Sequence, residues 1–247
     1  MLKKEKLAII RSWYPNAITT IDYVNKLIDF AEDNLEIEPG HIMLADSICS
    51  DDVNSIQYPA RAQEFLGPFK MGGLDGFPFT GLTGMAAFSS HAPDNGAVLI
   101  TYGPHVGITK SGTIGEIHRM GQSQNTDCCG ASRSALSKLM NNKIVAGQIT
   151  DIDFQMNTIE QILLARKDRI LQAKQPLQEA TEVIYEAIDA RINELVEQTD
   201  FHCRFVILVG NVLINSDSDM GSFTSVERFD VINVATKERV NQLEYFQ

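Results

Sequence analysis

An α/β fold, with a central sheet flanked by helices, is what the sequence predicts, and three observations carry that expectation. Phe205-Val206-Ile207-Leu208-Val209-Gly210-Asn211-Val212-Leu213-Ile214 is a near-continuous apolar run, which suits a strand buried on both faces of a sheet. Two shorter apolar runs, at 42–45 and 97–102, stand earlier in the chain. Leu177, Ala180, Ile184, Ala187, Ile188, Ile192 and Leu195 trace one apolar face at helical spacing. Strands alternating with helices indicate one α/β domain spanning residues 1–247.

In chain order, Ile21, Val24, Leu27, Ile28 and Ala31 follow Thr19-Thr20, which can cap a helix. Pro39-Gly40 breaks that helix, and residues 41–45 read as a short buried strand. Between Gly67 and Gly84 the chain interleaves glycines with Phe69, Phe77, Pro78 and Phe79. Neither a dinucleotide fingerprint nor a P-loop is present. Glycines at this density permit positive φ and close backbone approach. The segment is therefore either a tight structural crossover or a loop around a small site. Residues 97–102 form the second strand, ended by Gly103-Pro104. Ser111-Gly112 marks a hairpin-like turn. Residues 131–140 make a helix stopped at Asn141-Asn142. The stretch from about 158 to 196 is helical, divided by Pro176, and serves to cover the sheet. Residues 205–214 and 229–234 supply the last two strands.

Candidate chemistry gathers at the ends of these elements. Cys49-Ser50-Asp51-Asp52 follows Ile42-Met43-Leu44-Ala45 and puts a soft ligand two residues from a carboxylate. His105 follows the second strand in Gly103-Pro104-His105-Val106-Gly107, a rigid turn. Cys129 opens the helix at 131–140, where free N–H groups and the dipole favour a thiolate. Open α/β sheets hold their sites beyond the carboxyl ends of strands. Zinc takes thiolate and imidazole ligands tetrahedrally, and a catalytic site keeps one position free. Cys49, His105 and Cys129 would supply three. Cys128 competes with Cys129, since adjacent side chains point in different directions, and His91 is the rival to His105. Asp51 could orient a zinc-bound hydroxide, and Arg61 is its candidate partner, because a nearby cation keeps a carboxylate ionised. Asp52 reads as an ordinary turn residue, and His41 and His118 as surface or strand-start residues. Cys203 reads as core or edge structure. The alternative to a metal site is four buried thiols.

Composition narrows the classes further. The chain has 247 residues, is 44% hydrophobic and 21% charged, and carries a net charge of −11. That acidity, without a Lys/Arg run, argues against nucleic acid, whose phosphates need a basic surface. No apolar run approaches the roughly 20 residues that span a bilayer, so no membrane partner is expected. Leu7-Ala8-Ile9-Ile10 is shorter than a signal h-region of about 7–15 residues. The expected location is cytoplasmic, or organellar if a transit peptide has been removed. Four cysteines, two of them adjacent, do not make a disulfide framework.

Several motifs in order then resemble a known family. Ile48-Cys49-Ser50-Asp51-Asp52-Val53-Asn54, Gly67-Pro68-Phe69, Met71-Gly72-Gly73-Leu74 and Gly76-Phe77-Pro78-Phe79-Thr80-Gly81 are similar to the limiting-carbon-dioxide-inducible protein B family. So are Tyr102-Gly103-Pro104-His105-Val106-Gly107, Cys128-Cys129-Gly130-Ala131 and Leu208-Val209-Gly210. The resemblance covers residues from about 10 to 215. It implies a β-carbonic-anhydrase-like fold, a zinc site of two cysteines and one histidine, and a homodimer with sites near its interface. It assigns Cys49, His105 and Cys129 as ligands and Asp51 as the carboxylate of an aspartate–arginine dyad; Arg61 is placed by spacing alone. Ordinary β-carbonic anhydrases carry Cys-x-Asp-x-Arg and His-x-x-Cys. Here Val53 stands in the arginine position, and His105 is far from Cys129.

The expected activity is interconversion of carbon dioxide and bicarbonate by attack of zinc-bound hydroxide. Phe77 and Phe79 would line the carbon dioxide pocket, and His91 would shuttle the proton. Two alternatives use the same ligands: a non-catalytic zinc protein that senses bicarbonate or scaffolds a partner, and a different zinc lyase or hydrolase with a larger pocket.

Overall fold

The computed structural model describes residues 3–54 and 60–247. Its strands are β1 (Ile18–Thr19), β2 (Ile42–Ser47), β3 (Leu66–Lys70), β4 (Ala97–Tyr102), β5 (His105–Ile108), β6 (Glu116–Ile117), β7 (Thr126–Asp127), β8 (Phe205–Ser216), β9 (Phe223–Asn233) and β10 (Arg239–Asn241). Its helices are α1 (Lys3–Arg11), α2 (Thr20–Leu35), α3 (Gly81–Ser89), α4 (Gly130–Met140), α5 (Phe154–Leu164), α6 (Lys167–Gln172) and α7 (Pro176–Glu197). Eight strands form one sheet in the order β1-β9-β8-β4-β2-β3, with β5 also on β8 and β10 also on β9. The pairs β2–β3, β2–β4, β4–β8 and β5–β8 are parallel. Those involving β9 are antiparallel. A separate ribbon pairs β6 with β7. This is the expected mixed α/β architecture.

The central strands are apolar on both faces because helices cover both. Val98, Ile100 and Tyr102 of β4, with Val206 and Leu208 of β8, pack with α4, α5 and α7. Their neighbours Leu99, Ile207 and Val209 pack on the other side with Tyr23, Val24, Leu27 and Ile28 of α2. The period-2 alternation of a strand divides one apolar run between two cores. Thr19 caps α2 as expected, its Oγ1 accepting from the Asp22 N–H at 3.1 Å.

The strand across residues 97–102 ends at Gly103-Pro104 as expected, but the chain does not leave the sheet there. It resumes as β5, so His105 opens a strand rather than sitting in a turn. The reason is the length of β8, whose 12 residues pair first with β4 and then with β5. Pro104 still accepts a hydrogen bond from Leu213 N–H at 3.0 Å. The glycine-rich segment holds a strand and a helix that its composition conceals. β3 is an edge strand, where Pro68 is tolerated. α3 forms despite Gly81 and Gly84 because Met85 and Phe88 are buried.

Between β3 and α3 the chain turns over the ends of β2 and β4. Gly76 has φ +82°, and a Cβ there would stand 2.3 Å from the Gly103 carbonyl oxygen. Only glycine allows that approach. Ser47 Oγ donates to the Gly76 carbonyl at 2.8 Å. The segment is thus a crossover that also closes over a site.

On α7, burial pushes the pKa of Glu182 up to about 7, and Glu227, Glu179 and Glu186 add to the shift. A carboxyl raised from 4.5 to about 7 binds more protons in the native state within that window, so stability falls as pH rises through it. Glu182→Gln is expected to stabilise the chain at pH 8 by about 1 kcal/mol after allowance for solvent screening, and to change nothing at pH 4. Urea unfolding at the two pH values measures this.

Candidate metal centre

Cys49 lies two residues beyond β2 and His105 opens β5. Cys129 is the N-cap residue of α4. The fold brings all three together: their ligand atoms lie within 4.8 Å of one another, and all three residues are buried. Together they could hold a metal ion.

Each is held by specific bonds. Cys49 Sγ accepts the Asp75 backbone N–H at 3.1 Å, and its carbonyl accepts Asn54 Nδ2 at 3.2 Å. The His105 Nδ1 stands 2.7 Å from Asn215 Oδ1. Cys128 Sγ lies 3.6 Å from the same nitrogen, on that side of the ring. The other nitrogen, Nε2, is buried with no hydrogen-bond partner among the described residues. A buried imidazole nitrogen without a partner, beside two thiol sulfurs, is a donor set that suits zinc.

The thiols share charge unequally. Cys49 is pushed down to about 4, first by its hydrogen bond with Cys129 and then by His105. Cys129 is driven well above the ordinary thiol value by the same bond, by burial and by Asp75. The N-terminus of α4 was expected to make Cys129 the thiolate. The Asp75 N–H instead favours the charge on Cys49, and the neighbouring carboxylate opposes it on Cys129. Burial lowers the His105 pKa, but Cys128 and Cys49 outweigh it and raise the pKa well above the usual imidazole range.

Asp51 is clamped. Both of its oxygens accept from Arg119 Nη2, at 3.0 and 3.1 Å, and Oδ1 also takes the Val53 N–H at 3.3 Å. Burial raises its pKa, yet Asp52, Arg119 and His105 together hold it below the ordinary carboxylate value. Arg119 is itself tied by Nη1 to Thr126 Oγ1 at 2.7 Å and to the Asp127 carbonyl at 3.0 Å. Asp52 joins the same guanidinium through Nε at 3.5 Å.

Arg61 is not the partner of Asp51. Its guanidinium bonds Asp29 and Glu32 on α2, because the helical turn at 60–64 packs against that helix. Nor do the expected pocket residues line the cleft beside Asp51. That cleft encloses about 1070 Å³ and is bordered by Val53, Ile117, His118, Arg119, Asn215 and Phe223 among others. Phe77 is buried against Phe79, with ring centroids 5.0 Å apart, and under the Arg191 guanidinium. Phe79 continues to Phe154. Phe77 belongs to the core and Phe79 is partly buried against it, because α5 and α7 pack over them. His91 is exposed after α3, its ring 6.2 Å from that of Phe69.

Four residues of the centre were not singled out from the sequence. They are Arg119, Asn54, Asn215 and Asp75. Asp75 is fully buried; Ser132 donates to its Oδ2, while Oδ1 has no partner. Burial pushes its pKa up to about 6. Its position between the glycine pair Gly72-Gly73 and Gly76, inside an otherwise apolar stretch, was the available signal.

A three-ligand thiolate–imidazole cage beyond the ends of parallel strands, with a clamped aspartate beside it, defines a class: α/β proteins with a β-carbonic-anhydrase-like fold. The model of the family described as Limiting CO2-inducible proteins B/C beta carbonic anhydrases matches residues 18–233, and the chain belongs to this family. Among solved structures, PtLCIB4, a homolog of the limiting CO2-inducible protein LCIB, superposes with a TM-score of 0.83 at 25% identity, covering 96% of this chain and 99% of that one. The limiting CO2-inducible protein LCIB itself superposes with a TM-score of 0.68 at 18% identity, covering 94% and 96%. No curated protein matches the chain. Among the described residues, no helix is long and apolar enough to cross a membrane.

The clamp yields a direct test. Arg119→Leu is expected to raise the Asp51 pKa toward the ordinary value of about 3.9 and to cost about 1 kcal/mol of stability at pH 7. Arg61→Leu is expected to leave the Asp51 titration unchanged. Carboxyl NMR titration of the two variants distinguishes the arginines.

Proposed function

We propose that the chain is a zinc-dependent carbonic anhydrase that interconverts carbon dioxide and bicarbonate. The observation that carries this reading is the clamp on Asp51. Asp51 also lies close enough to His105 and Cys128 to form a second group that could hold a metal, but both of its oxygens accept from Arg119; that clamp would favour Cys49, His105 and Cys129 as the ligand set and leave one position free for water. Catalytic zinc sites have this form, and structural ones close all four positions.

A bound zinc ion would act as a Lewis acid that brings the pKa of water toward about 7. The remaining work belongs to the chain. Cys49, His105 and Cys129 hold the ion. Asp51 accepts a hydrogen bond from the reacting oxygen nucleophile and so aims its lone pair, while Arg119 keeps the carboxylate ionised and in place. Hydrogen bonds between ionised partners are the strong ones, which suits a group that must not move. The cleft bordered by Arg119 and Asn215 lies next to the centre and would be the approach for substrate and product. His118, at its edge, replaces the exposed His91 as the nearer candidate for passing protons outward.

Protein purified without chelators is expected to contain about one zinc per chain, as a three-ligand catalytic site requires. Cys49→Ala is expected to lose both the metal and nearly all stopped-flow carbon dioxide hydration. Normal hydration by that variant would sink the mechanism. Bound zinc without hydration by the unmodified protein would instead favour a non-catalytic sensor or scaffold.

A further inference from the structure

A neutral imidazole can carry its proton on either nitrogen, and only one arrangement offers the free lone pair to a metal. Four contacts decide the matter for His105, and they begin at a backbone carbonyl, which can only accept. Cys49 C=O accepts from Asn54 Nδ2 at 3.2 Å, so Asn54 must turn its Oδ1 the other way. Asn215 Nδ2 donates to that Oδ1 at 3.2 Å and to the Val53 carbonyl at 3.0 Å. Asn215 Oδ1 then faces His105 Nδ1 at 2.7 Å. An amide oxygen has no proton to give, so the imidazole must donate from Nδ1. The lone pair is left on Nε2, the nitrogen with no hydrogen-bond partner among the described residues. Asn54, Asn215 and His105 are all buried, which limits the access of water to the chain of bonds although Asn215 borders the cleft. Cys128 Sγ lies 3.6 Å from both Nδ1 and Asn215 Oδ1 and can donate to that same amide oxygen, while the 2.7 Å contact with Asn215 is the shorter one at Nδ1.

We propose that Asn54 and Asn215 are positioning residues that lock His105 in the Nδ1–H tautomer, so that the backbone of one metal ligand, Cys49, dictates which nitrogen the next ligand presents. This rests on the reading of His105 as a ligand. Partners on the second nitrogen of a ligating histidine orient the ring and raise its basicity. Here that partner is a neutral amide whose own direction is fixed from the loop 49–54. The same loop carries Asp51, so cage and clamp share one scaffold.

Two substitutions at Asn215 separate positioning from packing. Asn215→Leu removes the acceptor and is expected to lower zinc affinity, measured by chelator competition, about 10- to 100-fold. Asn215→Asp keeps an acceptor toward Nδ1 but sets carboxylate oxygen against Val53 C=O and Asn54 Oδ1. It is expected to lower the urea midpoint yet hold zinc within a few-fold of the unmodified protein. If affinity simply follows stability in both variants, Asn215 only packs and the proposal fails. A third measurement needs no variant. In the unmodified metal-free protein, at a pH where the ring is neutral, nitrogen-15 shifts are expected to place the His105 proton on Nδ1; a proton on Nε2 overturns the lock. Absence of zinc uptake together with a proton on Nδ1 would remove the enzyme reading and leave the lock standing.

Discussion

Everything at the centre depends on the pairing of β8 with two collinear strands. β8 is long enough to hold β4 along its first half and β5 along its second. The interruption at Gly103-Pro104 falls between them, where Gly103 passes so close to Asn211 that a Cβ would stand 1.7 Å from its carbonyl oxygen. That contact lets one strand break without leaving the sheet. His105 therefore emerges beside the end of β2, where Cys49 lies, and faces Asn215 near the far end of β8. A continuous β4 would carry its side chains past the site in strict alternation. A true turn at this point would remove His105 from the register that sets it opposite Leu213.

The centre is assembled from segments that are distant in sequence. Cys49 and Asp51 come from one loop, His105 from an interrupted strand, Arg119 from the connection between β6 and β7, and Cys129 from the cap of α4. Asp75 reaches in from the glycine-rich crossover. Backbone and amide groups do much of the joining. The Asp75 N–H stabilises charge on Cys49, and the two asparagines connect Cys49 to His105. Arg119 is fixed to the ribbon residues Thr126 and Asp127 just before the cysteine pair. The three candidate ligands and the aspartate clamp thus share supports without sharing atoms.

Much of this was legible in the sequence. The run at 205–214, the strand at 97–102 and the helices at 20–35 and 176–197 follow from hydrophobic period, which is dictated locally. The gathering of Cys49, His105 and Cys129 was legible because soft ligands at strand and helix ends are uncommon and ordered. The partner of Asp51 was not. Arg61 lies ten residues from Asp51 and Arg119 sixty-eight, and spacing carries no information about a contact made by folding a ribbon back over a loop. Asn54 and Asn215 were invisible for a related reason: an asparagine shows its direction only through its partners. β3 and α3 were hidden because edge position and burial, not propensity, form them.

The clamp has a consequence for how relatedness is read. The arginine that restrains Asp51 belongs to neither the cysteine loop nor the ends of the central strands, and it contributes nothing to the two cores on the faces of the sheet. On the proposed reading, exchanging it would keep the fold, the thiols and the imidazole while freeing the carboxylate to move toward a bound ion. Whole-chain likeness would record almost no change. If that reading holds, whether a relative is a working enzyme or a quiescent binder would depend on one long-range ion pair, and would be found by asking which cation its aspartate meets.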